Sequence, residues 1–230
     1  MNRCLQPELL DQLPPTDPRA IRSRRDLRRV NAWMGNARIL SHALRAAFAQ
    51  NPPKRIIEIG AGDGDCLLNI ARKTNGSFRN VETVLVDQQN LLKADMQARF
   101  AELSWNVRAV KADVLDFLQN TSKEADAIVA NLFLHHFTDE QLKRLFQITA
   151  EQARVVVAVE PRRSALSIFF SRLIWLIGCN SVTRHDAVAS VRAGFTGWEL
   201  SSVWPQNDKW NLTERPAGLF SHLFVAQRKG

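Results

Sequence analysis

The feature that most constrains this chain is an apolar segment, Arg55–Ile59, followed at once by glycines at alternate positions, Gly60, Gly62 and Gly64. An apolar run of this length predicts a strand buried on both faces, and the pattern of residues 65–73 predicts a helix. The glycines predict a tight turn whose backbone approaches a ligand closely, because a Cβ there would fill the space or forbid the required φ. We therefore expect the first strand, turn and helix of a nucleotide-binding sheet.

The glycine spacing argues against a dinucleotide cofactor, whose fingerprint would place a third glycine at position 65, where this chain has Asp65. The alternating glycines behind an acidic residue instead resemble motif I of the class I methyltransferases, which bind S-adenosylmethionine (SAM). This resemblance implies that the methionine end of SAM is held by the acidic residue, often through water. It implies cofactor contacts from Glu58, Gly60, Ala61, Gly62 and Gly64.

Strand-like and helix-like segments alternate along most of the chain. Strands are predicted at 55–59, 82–86, 107–111, 127–130 and 155–159, with helices at 65–73, 88–103, 114–120 and 139–150. This order predicts a doubly wound α/β fold with helices on both faces of a mostly parallel sheet. A further helix at 186–193 and two strands at 198–203 and 222–227 complete the prediction. The last two should pair antiparallel, as the resemblance implies for a seven-stranded sheet with an antiparallel last strand.

The chain length suits one domain with an N-terminal appendage. Asp17 and Pro18 predict a helix start, Gly35 a break, and the residues at 51–53 a stop. We expect a helical cap at 1–50 and a SAM-binding domain at 51–230, with a lid-like helical insertion around 162–185.

Two further acidic positions match cofactor contacts of the family. Asp87 ends the second strand, where a carboxylate can accept hydrogen bonds from both ribose hydroxyls, with Gln88 beside it. Asp113 follows the third strand, where the resemblance implies a contact with the adenine amine. It could equally be an ordinary helix N-cap, and both roles could coexist. The neighbours Ala112 and Val114 would pack near the adenine ring.

The fourth strand leads into Asn131 and a Leu-His-His segment that resembles the small-molecule methyltransferases of the quinone-biosynthesis type. The resemblance places His135 and His136 beside the sulfonium, where one histidine could act as a base. Because neighbours in an extended segment point oppositely, only one should face the pocket. The alternative is that both shape the cleft. Asn131 is predicted to contact the cofactor, and the absence of prolines after it disfavours methylation of nucleobase amines.

The acceptor is predicted to be held by residues after the fifth strand. Arg162 could bind an acidic group, although a solvated surface arginine is the alternative. Phe169 and Trp175 belong to an apolar helical segment, 165–177, that could be a lid over the acceptor, a dimer or membrane-surface face, or a buried helix.

The composition of the chain limits the kinds of partner and ligand that we expect. The net charge is +8, and six arginines fall between Arg19 and Arg29, which indicates a solvated helix face or an acidic partner. Three scattered cysteines indicate neither a disulfide framework nor a zinc site. No carboxylate cluster suits magnesium, so no metal is expected. No signal peptide or membrane span is predicted, which favours the cytoplasm.

These observations predict a SAM-dependent methyltransferase that transfers a methyl group to a small-molecule acceptor, at oxygen, by in-line displacement. Two alternatives remain open. The basic N-terminal helix leaves room for an RNA methyltransferase, although no RNA-binding motif accompanies it. The second alternative is a partner protein that binds SAM but does not catalyse methyl transfer. The acceptor and the oligomeric state are not predicted.

Overall fold

A seven-stranded sheet forms the centre of the molecule, with strand order β3-β2-β1-β4-β5-β7-β6. The computed structural model describes residues 1–74, 76–89, 91–92, 94–206 and 208–229. Its strands are β1 (Arg55–Ile59), β2 (Val81–Asp87), β3 (Trp105–Lys111), β4 (Ala125–Asn131), β5 (Ala153–Pro161), β6 (Trp210–Ala217) and β7 (Ser221–Arg228). The predicted doubly wound, mostly parallel sheet is therefore confirmed.

Helices cover both faces of the sheet. They are α1 (Leu9–Gln12), α2 (Pro18–Met34), α3 (Asn36–Ala47), α4 (Asp65–Lys73), α5 (Ala94–Ala101), α6 (Val114–Asn120), α7 (Asp139–Gln152), α8 (Ala165–Leu173), α9 (Ser181–Ala193) and α10 (Glu199–Val203). Two 3-10 turns, Leu134–His136 and Ile174–Ile177, follow β4 and α8. None of the described helices is long and apolar enough to cross a membrane.

The pairing of the strands sets the position of the site. β1 pairs in parallel with β2 on one side and with β4 on the other, so the chain order reverses at β1. Ligands of open α/β sheets bind at the carboxyl ends of the strands where this reversal occurs. β7 is antiparallel to both of its neighbours, β5 and β6. The carboxyl ends of β1, β2 and β4 thus meet at one edge, where the predicted cofactor residues follow them.

The strands are apolar because the helices cover both of their faces. Successive residues of β1 enter opposite layers: Ile56 belongs to the same buried cluster as Leu40 and Phe100, whereas Ile57 belongs to the cluster of Leu118 and Phe146. Burial of such side chains contributes about 1.5–3 kcal/mol each to folding. The resulting rigid sheet holds the loops at its carboxyl edge in fixed positions.

Three predicted elements differ in the structure. The helix predicted at 88–103 begins only at Ala94, with Asn90 and Lys93 lying outside the described residues. The strand predicted at 198–203 is wrong, because residues 199–203 form α10. Its first free N–H groups, on Leu200 and Ser201, donate to the carboxylate of Glu214 at 3.1 and 2.7 Å. A cap supplied from another element leaves no local signal in the sequence.

The sixth strand, Trp210–Ala217, was not predicted. It lies at the sheet edge, alternates buried with exposed residues and contains Pro216, which is tolerated at an edge. It is this strand that pairs antiparallel with the predicted last strand.

The segment before α2, residues 1–17, lies across the cavity formed at the sheet edge, and we call it the N-terminal arm. The N–H groups of Leu9 and Leu10 donate to the carboxylate of Asp186 at 2.8 and 3.0 Å. The Arg3 guanidinium donates to the Phe137 carbonyl oxygen at 2.6 Å. These bonds attach the arm to α9 and to the turn after β4. The division of the chain at residue 50 into a helical cap and a cofactor-binding domain remains our proposal.

Candidate active site

The loop between β1 and α4 contains the three glycines of the predicted motif. All three have left-handed backbone, with φ of +65° at Gly60, +56° at Gly62 and +79° at Gly64. A Cβ on Gly60 would lie 2.1 Å from the ring of Phe133, so that position excludes any side chain. A Cβ on Gly62 would meet nothing within 4 Å. The bare backbone of Gly60 therefore makes room for Phe133, whereas that of Gly62 faces open space.

This space is a cavity of about 300 Å³ that is lined by many charged and polar residues, and we call it the cofactor cavity. Gly60, Ala61 and Gly62 line it from the loop, and Asp87 and Asn131 line it from the ends of β2 and β4. The N-terminal arm and α2 form the opposite wall, with Glu8, Leu10, Asp11, Leu27, Arg28 and Asn31. Arg28 also forms an ion pair with Asp63 of the glycine loop at 2.6 Å.

Asp87 is fixed against the glycine loop. One carboxylate oxygen accepts the Gly62 N–H at 2.9 Å, and the other accepts the Gln89 N–H at 2.8 Å. Each carboxylate oxygen can accept a second hydrogen bond. Because Asp87 lines the cavity, the remaining acceptor sites are available to a ligand with neighbouring hydroxyl groups.

Glu58 lies behind the loop, 1 % exposed, and does not line the cofactor cavity. Burial raises the pKa of Glu58 to about 8, although a hydrogen bond from Cys66 opposes the shift. Its Oε2 has no hydrogen-bond partner among the described residues. Buried polar atoms without partners are rare and are expected at functional sites. Such an acceptor suits a cationic group or a water held between the protein and a ligand.

The residues predicted to surround the adenine lie beside the cofactor cavity, but they do not line it. Asp113 caps α6 by accepting the N–H groups of Leu115 and Asp116 at 2.8 and 3.3 Å. The Gln88 side-chain amide donates to the other Asp113 oxygen at 3.4 Å. The N-cap role of Asp113 is thus part of the structure, whereas its contact with adenine, and those of Ala112 and Val114, stay predictions.

Asn131 is positioned by a residue that sequence reasoning missed. The Asn36 side chain, 1 % exposed, donates to Asn131 Oδ1 at 3.0 Å and accepts from the Ser221 hydroxyl at 2.8 Å. The next residue, Leu132, has a left-handed φ of +53°, which is unusual for a branched side chain. Asn36 follows the break at Gly35 in the sequence, and no local pattern links it to β4.

His135 is buried and lies between two carboxylates. Its Nδ1 is 2.8 Å from Glu160 Oε2, and its Nε2 is 3.4 Å from Glu8 Oε1. Burial alone would lower the pKa of His135, but the hydrogen bonds to Glu160 and Glu8 outweigh burial and raise it to about 9. The same contacts lower the pKa of Glu8 despite its burial. His135 is therefore a cation at neutral pH.

His136 differs from its neighbour. Its side chain is 32 % exposed, and burial together with the charge of His135 lowers its pKa. His136 is therefore neutral at pH 7. Glu8, His135 and His136 lie close enough to offer ligand atoms to one metal ion, within 4.8 Å of one another. Both ring nitrogens of His135 already face carboxylates, so we interpret the cluster as a hydrogen-bonded network.

The prediction that only one histidine faces the pocket was wrong, because both line the cofactor cavity. The segment is a 3-10 turn, not an extended strand, and its successive side chains are about 120° apart. The two imidazole centroids consequently lie 4.2 Å apart.

A second, apolar cavity of about 270 Å³ adjoins the first, and we call it the acceptor cavity. The two share wall residues Leu27, Asn31, Leu132 and Ser190. Its remaining lining comes from α2, α8, α9 and the 3-10 turn after α8, and includes Val30, Phe170 and Ile174. The two cavities thus meet at Leu132, directly after β4.

The predicted acceptor contacts do not line either cavity. Phe169 and Trp175 point outward, 57 and 52 % exposed, because their helical neighbours Phe170 and Ile174 occupy the inward positions. Arg162 forms an isolated bridge with Phe195 beside β5. The structure therefore places Phe169, Trp175 and Arg162 outside the lining of both cavities, and their role in binding an acceptor stays a prediction.

Comparison with known proteins agrees with this geometry. Residues 56–156 match the family model of a methyltransferase domain. A comparison with curated protein sequences found no match. Many solved structures share the fold.

Three solved structures illustrate the likeness. An O-methyltransferase family protein from Burkholderia thailandensis is 17 % identical with a TM-score of 0.63, covering 93 % of this chain and 60 % of that one. The plantazolicin methyltransferase BamL was solved with S-adenosylhomocysteine (SAH) and a triazolic analogue. It is 14 % identical with a TM-score of 0.65, and the match covers 96 % of this chain and 93 % of that one. Magnesium protoporphyrin IX methyltransferase of Synechocystis PCC 6803, with bound SAH, is 11 % identical with a TM-score of 0.51, covering 96 and 91 %.

At these identities the likeness to solved structures concerns the fold, and this chain spans 60 % of the Burkholderia protein's length. The residues matched by the family model include the glycine loop and the strands that carry the predicted cofactor residues. The chain therefore shares the fold of these solved methyltransferases, and its residues 56–156 are similar to a methyltransferase domain.

Proposed function

We propose that this chain is a SAM-dependent methyltransferase that methylates a hydroxyl oxygen of a small, largely apolar molecule. The observation that carries this proposal is the contact between the cofactor cavity and the apolar acceptor cavity at Leu132. When bound, SAM supplies a methyl group that is already activated on a sulfonium. The chain's own residues then have to hold the two molecules, exclude water and remove a proton.

The cofactor cavity suits SAM in three respects. The bare backbone at Gly62 leaves room for a ligand to approach closely. The free acceptor sites of Asp87 suit the two ribose hydroxyls. The unpartnered oxygen of Glu58, which lies behind the loop, suits the methionine ammonium through a bridging water. Asn131, held by Asn36, is proposed as a further hydrogen-bonding contact.

The acceptor cavity selects for an apolar molecule. Its lining from α2, α8 and the turn after α8 is mainly aliphatic and aromatic and includes Val30, Phe170 and Ile174. Because a buried polar group without a partner costs about 1–3 kcal/mol, strongly polar acceptors are disfavoured there. The polar end of an acceptor would face the shared wall, where Asn31 and Ser190 lie.

Oxygen is favoured over nitrogen because a base is present. A hydroxyl must lose its proton as the methyl group arrives, and His136 is neutral at pH 7 and lines the cofactor cavity. We propose His136 as the base that accepts this proton at a ring nitrogen. His135, already a cation, cannot accept one and is proposed as a positioning residue.

The test is a turnover assay that compares acceptors of one shape. The purified protein is incubated with SAM and with alkylphenols, the matching alkylanilines and short RNA, and SAH release is measured. We expect turnover with the phenols and little with the anilines. A preference for anilines or RNA would contradict the proposal, as would SAM binding without turnover on any phenol.

A pair of variants tests the acceptor cavity itself. Ile174→Trp fills the cavity and should raise the KM for a phenol by at least about tenfold, since a cavity filled by protein excludes the ligand. Its affinity for SAM should not change. Phe169→Trp, on the outward side of the same helical segment, is the matched control. Equal KM values for the two variants would place the acceptor elsewhere.

A further inference from the structure

The acceptor cavity lies beneath an unusually apolar and basic surface. Of the thirteen large apolar residues that are exposed in the described chain, six lie between Leu166 and Ile177. Trp33 of α2, 71 % exposed, belongs to the same surface. We call it the apolar-basic surface and define it by Arg22, Arg25, Arg29, Trp33, Leu166, Phe169, Phe170, Arg172, Trp175, Leu176 and Ile177.

This surface is continuous across two separate segments of the chain. The Trp33 ring stacks on Phe220 with centroids 5.4 Å apart, and Phe220 contacts the Phe170 ring at 5.5 Å. Phe170 in turn contacts Phe169 at 5.5 Å. On the other side, the Arg29 guanidinium donates to the Ile177 carbonyl oxygen at 3.2 Å. The aromatic residues and the arginines of α2 therefore form one surface with the turn after α8.

The charge of this surface has one sign. Residues 18–34 contain six arginines and a single acid, Asp26, which is 3 % exposed. Residues 161–185 contain four arginines and no Asp or Glu. Arg25 and Arg172 are exposed and project from α2 and α8. A surface of this kind attracts an extended array of negative charges.

Charge alone would suit nucleic acid as well, but the exposed side chains favour lipid. Leu176, Ile177 and Trp175 are each more than half exposed. Large aliphatic residues make no favourable contact with phosphates. Their transfer from water to the boundary between lipid headgroups and acyl chains is favourable. Tryptophan is enriched at this boundary, and flanking arginines bind the anionic headgroups.

We propose that the apolar-basic surface binds the surface of an anionic lipid membrane. Trp175, Leu176 and Ile177 enter the headgroup region, while Arg25 and Arg172 remain at the level of the lipid phosphates. Trp33, Leu176 and Ile177 also line the acceptor cavity, so its mouth faces the bilayer. If the proposed function holds, an apolar acceptor can enter from the membrane without crossing water. Membrane binding itself does not depend on that function.

The experiment is cosedimentation of the purified protein with vesicles, at several salt concentrations. Vesicles of phosphatidylcholine alone are compared with vesicles of equal parts phosphatidylcholine and phosphatidylglycerol. We expect binding to the mixed vesicles, weakened by salt, and much weaker binding to phosphatidylcholine. Binding that is absent with both, or equal for both, would overturn the proposal.

Variants separate the charged and apolar contributions. Arg25→Ala with Arg172→Ala should weaken vesicle binding by about 25-fold, since each arginine near an anionic membrane contributes about fivefold. Arg79→Ala with Arg108→Ala removes two exposed arginines outside the surface and should change little. Equal effects of the two pairs would show attraction by net charge alone and would contradict the proposed surface.

Trp175→Ala should weaken binding by at least about tenfold, whereas Trp198→Ala, which removes another tryptophan that is more than half exposed but lies outside the surface, is the control. Light scattering and titration with single-stranded RNA test the other occupants. A dimer that Trp175→Ala dissociates, or RNA bound more tightly than mixed vesicles, would assign the surface to that occupant instead.

Methyl transfer to a water-soluble phenol should be the same in both tryptophan variants. This distinguishes a failure of membrane binding from a failure of the proposed function.

Discussion

His135 and His136 have ring centroids 4.2 Å apart, yet the protein shifts their pKa values in opposite directions. Burial disfavours the charged form of both rings, but only His135 has carboxylates at both nitrogens. Once His135 carries a charge, that charge further disfavours protonation of His136. The pair therefore consists of a fixed cation and a neutral imidazole, which is the division of roles that acid–base chemistry requires.

His136→Gln should reduce kcat by about 10²–10⁴-fold, because it removes the proton acceptor. Its melting temperature should stay near that of the wild type, since the side chain is partly exposed. His135→Gln should instead destabilise the fold by about 3–5 kcal/mol, because it leaves the carboxylates of Glu8 and Glu160 without their cationic partner. Turnover and urea unfolding of both variants check this contrast. Equal rates for His136→Gln and the wild type would remove the histidine from the mechanism.

The pH dependence of kcat/KM should show an acidic limb with an apparent pKa below 6.5. His136 accepts a proton only when neutral, and its lowered pKa keeps it neutral to lower pH than an ordinary histidine. The rate should therefore hold near neutrality and fall only as the pH passes below the usual histidine value. An initial-rate profile in SAM excess measures the limb.

Asp11 complicates this profile, since its carboxylate lies 3.8 Å from His136 and burial raises its pKa to about 6. Asp11→Asn separates the two groups. The limb should persist in that variant if His136 is the titrating group. Its disappearance would assign the limb to Asp11.

Asp87→Ala should raise the Kd for SAM by at least about tenfold, because hydrogen bonds to a charged group contribute about 1.5–3 kcal/mol. The fold should remain intact, since Asp87 lies at a strand end and its partners are two backbone N–H groups of the adjacent loops. Calorimetric titration with SAM and SAH measures the change. Both ligands should also raise the melting temperature of the wild type, whereas NAD should not. An unchanged Kd would refute the ribose contact.

Asn36→Ala should destabilise the protein by about 1–3 kcal/mol, because the side chains of Asn131 and Ser221 lose a buried partner. It should also weaken SAM binding, since Asn131 is then no longer held. Asn120→Ala, at an exposed helix end, is the control and should change stability by less than about 0.5 kcal/mol. Urea unfolding compares the two. An unchanged free energy of unfolding in Asn36→Ala would show that its hydrogen bond to Asn131 does not stabilise the fold.

Local signals in the sequence predicted most of the sheet and the cofactor loop. The bounds of β1, α4 and α6 agree with the prediction to the residue. Those elements have strong local causes, namely a continuous apolar run, left-handed glycines and the N-cap of Asp113. The family's spacing then placed Asp87 and Asn131 at the carboxyl edge.

What the sequence could not predict depends on contacts between distant segments. α10 forms where Glu214, from a later strand, caps its first N–H groups. The wall of the cofactor cavity includes Glu8 and Arg28, more than thirty residues from the glycine loop in sequence. The sequence did not separate Phe169 and Trp175 from Phe170 and Ile174, which line the apolar cavity, because a helix that is apolar nearly all round gives no signal of which side faces inward.

The position of β7 has a consequence for synthesis of the chain. β5 can pair with β4 once both are made, but its other edge has no partner until residues 221–228 follow, some sixty residues later. β5 carries a run of valines and alanine, which is the kind of exposed edge that pairs with other chains. A nascent chain halted before Ser221 would therefore expose the unpaired edge of β5. Truncations from that end should aggregate, even though every predicted cofactor residue is already in place.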